Sequence, residues 1–487
     1  MEPSTQDCGQ LALASTIPAK NRLKRKRRDS FSSFRKMYLL LWNVGFLGIL
    51  SLQVLGTKIN YERDQVLQII PQNVKQVQCL YHICQSSQLD LWKPLYLEDV
   101  TASSVVLVRV PSIALQTVKE ELLRCSLSFD VLLDNITHYI GSEERRRVRK
   151  KRSTPDYDYT KYHPMEDIYE WINIMSEKHT DLLTQHYLGS TYESRPMHYL
   201  KISEPSSNPK KIVWMDCGIH AREWIAPAFC QWFVKEIVQN YPKDARLKKI
   251  LRNLDLYVLP VLNIDGYIYS WTTDRLWRKS RSMHENGTCF GVDLNRNFNI
   301  KWCNLGSSKN CSDNSYCGTS PVSEPETKAV VDFVEKSKSD IICFLTMHSY
   351  SQYILTAYGY TKDLPKSYNE TIKVAQMAAS ELKKKHGTVY KVGSFAHLLY
   401  EASGTSQDWV HDLGIEFSYT IELRDNGTHK FLLPEDQIQP TCEETMAAVL
   451  TIIDSVHDKY FPNKAPTNVH MLYSVVLLLY TAVQLFV

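Results

Sequence analysis

The sequence predicts an α/β domain built around a sheet that is at least partly parallel, preceded by a small α+β domain. Three observations carry this. From residue 153 onward, segments with apolar residues at helical spacing alternate with short, continuous apolar runs and show no internal repeat. Residues 57–144 follow a different order: a strand-like DQVLQII, a helical stretch from Gln72 to Cys84, a strand-like SSVVLVRVP and a helix ALQTVKEELLRC. A basic run, EERRRVRKKRS, separates the two patterns, and 487 residues are enough for one large and one small domain.

Each element of the larger part follows from its own pattern. HPMEDIYEWINIMSEKH repeats apolar residues at helical spacing, and APAFCQWFVKEIV reads as a helix starting near Trp224. KIVWMDC, DLYVLPVLN, DIICFLTMH and FSYTIELRD are short runs of the buried-strand type. In open sheets with parallel strands, functional groups gather beyond the carboxyl ends of the strands, so that position sorts the motifs that follow.

The ends of the chain speak of compartment. Residues 37–56, MYLLLWNVGFLGILSLQVLG, are apolar behind Arg35 and Lys36, with Val54 and Gly56 where signal peptidase requires small residues. Residues 1–56 therefore read as an N-terminal extension and signal peptide, with a retained signal anchor as the alternative and Met37 as an alternative start. The tail from residue 463 ends in 17 apolar residues starting at Met471, short of the roughly 20 that a membrane span needs. It suits a glycolipid-anchor signal on an extracellular membrane protein, against the alternatives of secretion or a buried C-terminal element.

Sequons at Asn135, Asn286, Asn310, Asn369 and Asn426 fit that compartment. Of twelve cysteines, six (Cys217, Cys230, Cys289, Cys303, Cys311 and Cys317) cluster in one third of the chain, and their spacings favour disulfides over a zinc knuckle. The net charge of +4 comes largely from two basic runs with no interleaved aromatic residues, which argues against a nucleic-acid partner. The second run holds Arg149-Lys150-Lys151-Arg152, a cutting site for a basic-residue-specific protease or else a solvated linker.

Two His-x-x-Glu sequences compete for a metal. HPME, from His163 to Glu166, opens a helix, where Glu166 serves as a first-turn acid. IHARE comes directly off KIVWMDC, so His220 and Glu223 share a turn at a strand's carboxyl end. A catalytic zinc takes three protein ligands, and His348 stands at the end of DIICFLTMH in the same relation to the sheet. A general base must come from elsewhere, because this is not a His-Glu-x-x-His helix. Glu422 of YTIELRD has apolar and aromatic neighbours that raise a carboxyl pKa toward a proton shuttle's range; the alternative is a structural pair with Arg424.

DCGIHAREWIAPA, RLWRKSRS, GVDLNRNF, MHSYSQ, LYEASGTSQDW and FSYTIELRDNG together resemble, in order, the motifs of the zinc metallocarboxypeptidases of the pancreatic A/B type. The resemblance covers residues 155–460, and residues 57–150 resemble that family's inhibitory prodomain. It implies a mixed parallel/antiparallel twisted sheet with helices on both faces, and domains at 57–152 and 153–462. It further implies one zinc ion on His220, Glu223 and His348, with Glu422 as general base on the attacking water and Arg278 stabilising the oxyanion. Asn295 and Arg296 would hold the substrate's terminal carboxylate, Tyr400 would close over it, Arg222 and Tyr350 would line outer subsites, and Asp293 would hydrogen-bond a ligating His.

The implied disulfides are Cys217–Cys230, Cys289–Cys311 and Cys303–Cys317, leaving the pairing of Cys79, Cys84 and Cys125 open. The pocket for the terminal side chain is implied to turn on Gln407, which provides no carboxylate for Lys or Arg. An anchored branch of the family associated with acidic or polar termini carries Arg there, so polar, acidic or neutral C-terminal residues are expected of this chain. The partners implied are peptide or protein C-termini, acted on by a monomer. Two readings compete with this one: a soluble secreted enzyme for apolar termini, and a catalytically silent peptide-binding protein.

Overall fold

The computed structural model describes residues 58–94, 97–140 and 157–462. The signal peptide and Met37, the basic cutting site up to Arg152 and the apolar tail from residue 463 lie outside the described residues. Among the described residues, no helix is long and apolar enough to cross a membrane.

The N-terminal domain is a four-stranded antiparallel sheet of β1 (Gln65–Ile69), β2 (Asp90–Lys93), β3 (Val106–Val110) and β4 (Phe129–Leu133), in the order β2-β3-β1-β4. Helices Val74–Ser86 and Leu115–Arg124 close a core made by Leu67, Ile69, Leu80, Val106, Val108 and Leu122. The first helix starts two residues later than its sequence pattern suggests, because Asn73 caps it by accepting from the Gln76 N–H at 3.0 Å. Cys79 and Cys125 join the two helices in a disulfide, which leaves Cys84 free and buried.

The larger domain is built on eight strands: β5 (Leu183–Ser190), β6 (Pro196–Ile202), β7 (Lys211–Cys217), β8 (Leu254–Leu259), β11 (Ile341–Ser349), β12 (Tyr353–Thr356), β13 (Lys391–Ser394) and β14 (Phe417–Leu423). A two-residue hairpin, β9 (Met283–His284) with β10 (Cys289–Phe290), stands apart from this sheet. The order is β13-β12-β14-β11-β7-β8-β6-β5, with β8, β7, β11 and β14 running parallel at the centre; β12 joins β14 antiparallel and carries β13 parallel to itself, and β6 and β5 add antiparallel on the other side. β7 and β11 are buried almost end to end, as parallel strands covered on both faces must be. The strand expected over DLYVLPVLN ends at Leu259, since Pro260 has no N–H to continue the ladder.

Candidate active site

The sheet register brings the predicted residues together. β11 and β14 are parallel with His348 opposite Glu422, and Met347 is opposite Cys217, the last residue of β7. His220 and Glu223 follow within six residues of Cys217, so three adjacent strands deliver four groups to one sheet edge. The Cys217–Cys230 disulfide ties this turn to the helix Ile225–Asn240.

His220 Nδ1 lies 2.8 Å from Glu223 Oε1, His348 Nδ1 lies 3.1 Å from Glu223 Oε2, and the two ring nitrogens are 3.1 Å apart. All three side chains are buried. Zinc–nitrogen bonds of about 2.0–2.1 Å in a tetrahedral site separate two ligand nitrogens by about 3.3 Å, so this donor set fits zinc. Each ring is oriented from behind. His220 Nε2 is 3.2 Å from Asp293 Oδ1, and His348 Nε2 is 3.3 Å from Thr346 Oγ1, which donates to Asp216 at 2.7 Å. Sequence reasoning found Asp293 and missed Thr346 and Asp216; Thr346 stands two residues before His348 on the same strand face, a signal that period-two reading could have used.

Burial and the neighbouring Arg278 push the His220 pKa down, which favours the neutral ring that ligates metal. Burial works to raise Glu223, but both histidines hold it well below the usual carboxylate range. Glu422 goes the other way, pushed well up by burial and by the Glu223 charge against the pull of Arg278. Arg424, offered by the sequence as a structural partner for Glu422, is turned elsewhere and binds Glu444 at 2.7 Å.

Arg278 donates to Asp293 Oδ2 through Nε at 3.0 Å and Nη2 at 2.8 Å, and its Nη1 lies 3.7 Å from Glu223. Asn295 and Arg296 follow Asp293 in a short 3-10 turn that Asp293 caps. Arg296 donates to the carbonyls of Gly306 and Asn295 and sits 3.4 Å from the Tyr400 hydroxyl. Asn295 Oδ1 accepts from Ser406 N–H at 2.9 Å, latching the start of the helix Ser406–Asp412 that carries Gln407. Gly404, just before that helix and at φ 72°, runs so close to Arg296 that a Cβ would lie 2.3 Å from its carbonyl oxygen.

His220, Glu223, His348, Arg278, Arg296 and Glu422 line a cavity of about 470 Å³, and the N-terminal domain roofs it. Asp90 accepts from Asn314 at 2.7 Å and faces the fully buried Arg222 at 3.4 Å, while Trp92 packs edge-on against Phe431. Phe431 also meets Tyr350 at 5.0 Å and lies under the Arg222 guanidinium at 4.1 Å. Both outer residues named from the sequence, Arg222 and Tyr350, are thus covered, but Phe431, Asn314 and the roof contacts were not foreseen. Gln407 is buried behind Thr420, which lines the cavity. The six clustered cysteines pair as Cys217–Cys230, Cys289–Cys311 and Cys303–Cys317. Four sequon asparagines, Asn286, Asn310, Asn369 and Asn426, are exposed, and Asn135 is half-buried.

The profile of the zinc carboxypeptidase family matches residues 168–448, and that of the carboxypeptidase activation peptide matches residues 67–143. The chain is 64% identical to carboxypeptidase O of Bos taurus over 325 residues, 66% of this chain and 87% of that protein. Carboxypeptidase B of Bos taurus is 43% identical over 390 residues, 80% of this chain and 92% of that protein. Among solved structures, thrombin activatable fibrinolysis inhibitor superposes with a TM-score of 0.77 at 40% identity, covering 82% of this chain and all of that one. With the metal-ligating cluster, the roofed cavity and these likenesses together, the chain belongs to the zinc carboxypeptidase family, a metallocarboxypeptidase that carries its own activation peptide.

Proposed function

We propose that this enzyme removes single C-terminal residues from peptides and proteins, with Glu422 as general base and Arg278 as the oxyanion-stabilising group, and that it prefers polar or acidic termini to basic ones. The observation that carries the reading is the convergence of His220, Glu223, His348, Arg278, Arg296 and Glu422 on one cavity. Zinc held by the two histidines and Glu223 would supply Lewis acidity and make water a competent nucleophile at neutral pH. Glu422, in register with His348, takes the proton from the attacking water and returns it to the leaving nitrogen. Arg278 is fixed by two bonds to Asp293, so its charge is in place before the carbonyl oxygen turns negative.

Arg296 and Asn295 hold the terminal carboxylate, which restricts cleavage to chain ends, and Tyr400 closes over it. Arg222 and Tyr350 form the outer subsites that the N-terminal domain covers. Gln407 puts no negative charge in the terminal side-chain pocket, so a buried Lys or Arg side chain would lack a counter-ion.

The zymogen is read as an inhibitory prodomain at 57–152, cut after Arg152, and a catalytic domain at 153–462. A signal peptide within 1–56, glycans on the sequon asparagines and a glycolipid anchor replacing the 463–487 tail would place a monomer on the outer face of the plasma membrane. The test is release of the last residue from a short peptide by the secreted chain after tryptic cleavage of the linker. Amidation of the peptide's C-terminus, a zinc chelator and Glu422→Gln should each abolish release; persistence under amidation would refute an exopeptidase.

A further inference from the structure

We propose that the terminal side-chain pocket presents Thr420 Oγ1 at its floor as a hydrogen-bond acceptor and selects neutral side chains bearing an N–H or O–H donor, Gln and Asn foremost, over carboxylates. The inference rests on the carboxypeptidase reading above and narrows its substrate class.

Gln407 is 1% exposed, and every polar atom of its amide is engaged. Nε2 lies 3.0 Å from the Leu355 carbonyl oxygen and 3.2 Å from that of Ser418. Main-chain carbonyls only accept, so both amide hydrogens point at them; the flipped amide would set its oxygen against two oxygens. This fixes Oε1 toward Thr420, whose Oγ1 is 2.6 Å away. An amide oxygen cannot donate, so the Thr420 hydroxyl gives its single proton to Gln407 and has only lone pairs left to offer.

Thr420 is the member of this pair that lines the cavity, with Phe395 and Leu399 as apolar walls. Leu355 and Ala402 pack behind Phe395. A carboxylate reaching Thr420 Oγ1 meets its lone pairs, and loses its hydration there without replacement. A Lys or Arg side chain finds an acceptor but no counter-charge. A side-chain amide or hydroxyl donates to Thr420 Oγ1 and has no charge to desolvate, while an aliphatic side chain leaves that acceptor unmet. Gln407 therefore acts as a positioning residue: through its own saturated amide it dictates which way the Thr420 proton points. Lys362, the cavity-lining cation of the larger domain outside the Arg278–Arg296 pair, is exposed to solvent.

The secreted full chain, processed with trypsin and assayed with zinc present, is given four peptides that differ only in a final Gln, Leu, Glu or Lys. The expected kcat/KM for the Gln peptide exceeds that for Glu and Lys by about tenfold or more. Thr420→Val, close in shape and lacking the acceptor, should lower the Gln-to-Leu ratio about fivefold or more. A wild-type enzyme that cuts the Glu peptide fastest overturns the inference and leaves the carboxypeptidase reading intact, as does a Thr420→Val enzyme with an unchanged Gln-to-Leu ratio. An enzyme that releases no terminal residue from any of the four overturns both.

Discussion

The floor and the roof of the catalytic cavity are built on opposite terms. On the floor, His220, Glu223, His348 and Asp293 are buried, and each has two or more partners drawn from neighbouring strand ends and turns. The roof is held by an apolar seam, with Tyr61, Trp92 and Leu107 against Leu276, Tyr350 and Phe431, and by the Tyr61 hydroxyl donating to Asp274, while its charged groups are less well matched. Asp90 is well satisfied, but Asp99 is half-buried with one carboxylate oxygen lacking a hydrogen-bond partner, and it faces both Arg296 and Glu401. Lys93 of the roof likewise feels the charge of Lys391. A preorganised floor keeps charges fixed through the reaction, whereas a roof with like charges facing the body it covers is suited to leave.

The comparison can be broken from either side. Glu422→Gln, which keeps the floor's shape, should lower kcat by about 10³–10⁴-fold with zinc content unchanged by metal analysis. A variant that loses zinc instead would place Glu422 in the ligand set. Asp293→Asn should weaken zinc binding by about 10–100-fold in a competition with a chelator, since the amide no longer offers an anionic acceptor to the His220 ring and Arg278.

Changes to the roof should be smaller and confined to the zymogen. Asp90→Asn removes the charge opposite Arg222, so the released N-terminal domain should inhibit about tenfold less well, with kcat of the processed enzyme as in wild type. An equal loss in the processed enzyme would mean that Asp90 acts on folding and not on docking. The smallest effect concerns Asp99, pushed up to about 6 by burial and by Glu98 and Glu401 against the pull of Arg296. A carboxyl that binds its proton more tightly when docked favours docking fully below its free value of 3.8, less through the window up to about 6, and not at all above it. Inhibition by the released domain should thus be a few-fold weaker at pH 7 than at pH 5, and Asp99→Asn should flatten that dependence.

How much of this the sequence disclosed depends on how local the cause is. His220 with Glu223, His348 and Glu422 were legible because each sits at the end of an apolar run whose strand type is readable in a few residues. The competing pair shows why spacing alone fails: His163 spends Nε2 on the Asp158 carbonyl at 2.8 Å and stacks on Tyr157, while Glu166 stands in the first turn of helix Met165–Lys178. Gln407 was visible as a residue but not as a hydrogen-bonded state, because its orientation is set by Leu355 and Ser418, on β12 and β14. Asp90 meets Arg222 across 132 residues of chain, and no pattern within either segment announces a partner in the other.

The Cys79–Cys125 disulfide has a consequence for the time course of activation. It closes a loop across 46 positions, which removes about 4 kcal/mol of conformational freedom from the unfolded N-terminal domain. A domain braced in this way would stay folded once its linker is cut and would keep the surface that meets Arg222 and Phe431. Severing the linker would change a tethered lid into a free one, and full activity would follow dissociation of that lid, to an extent that dilution sets.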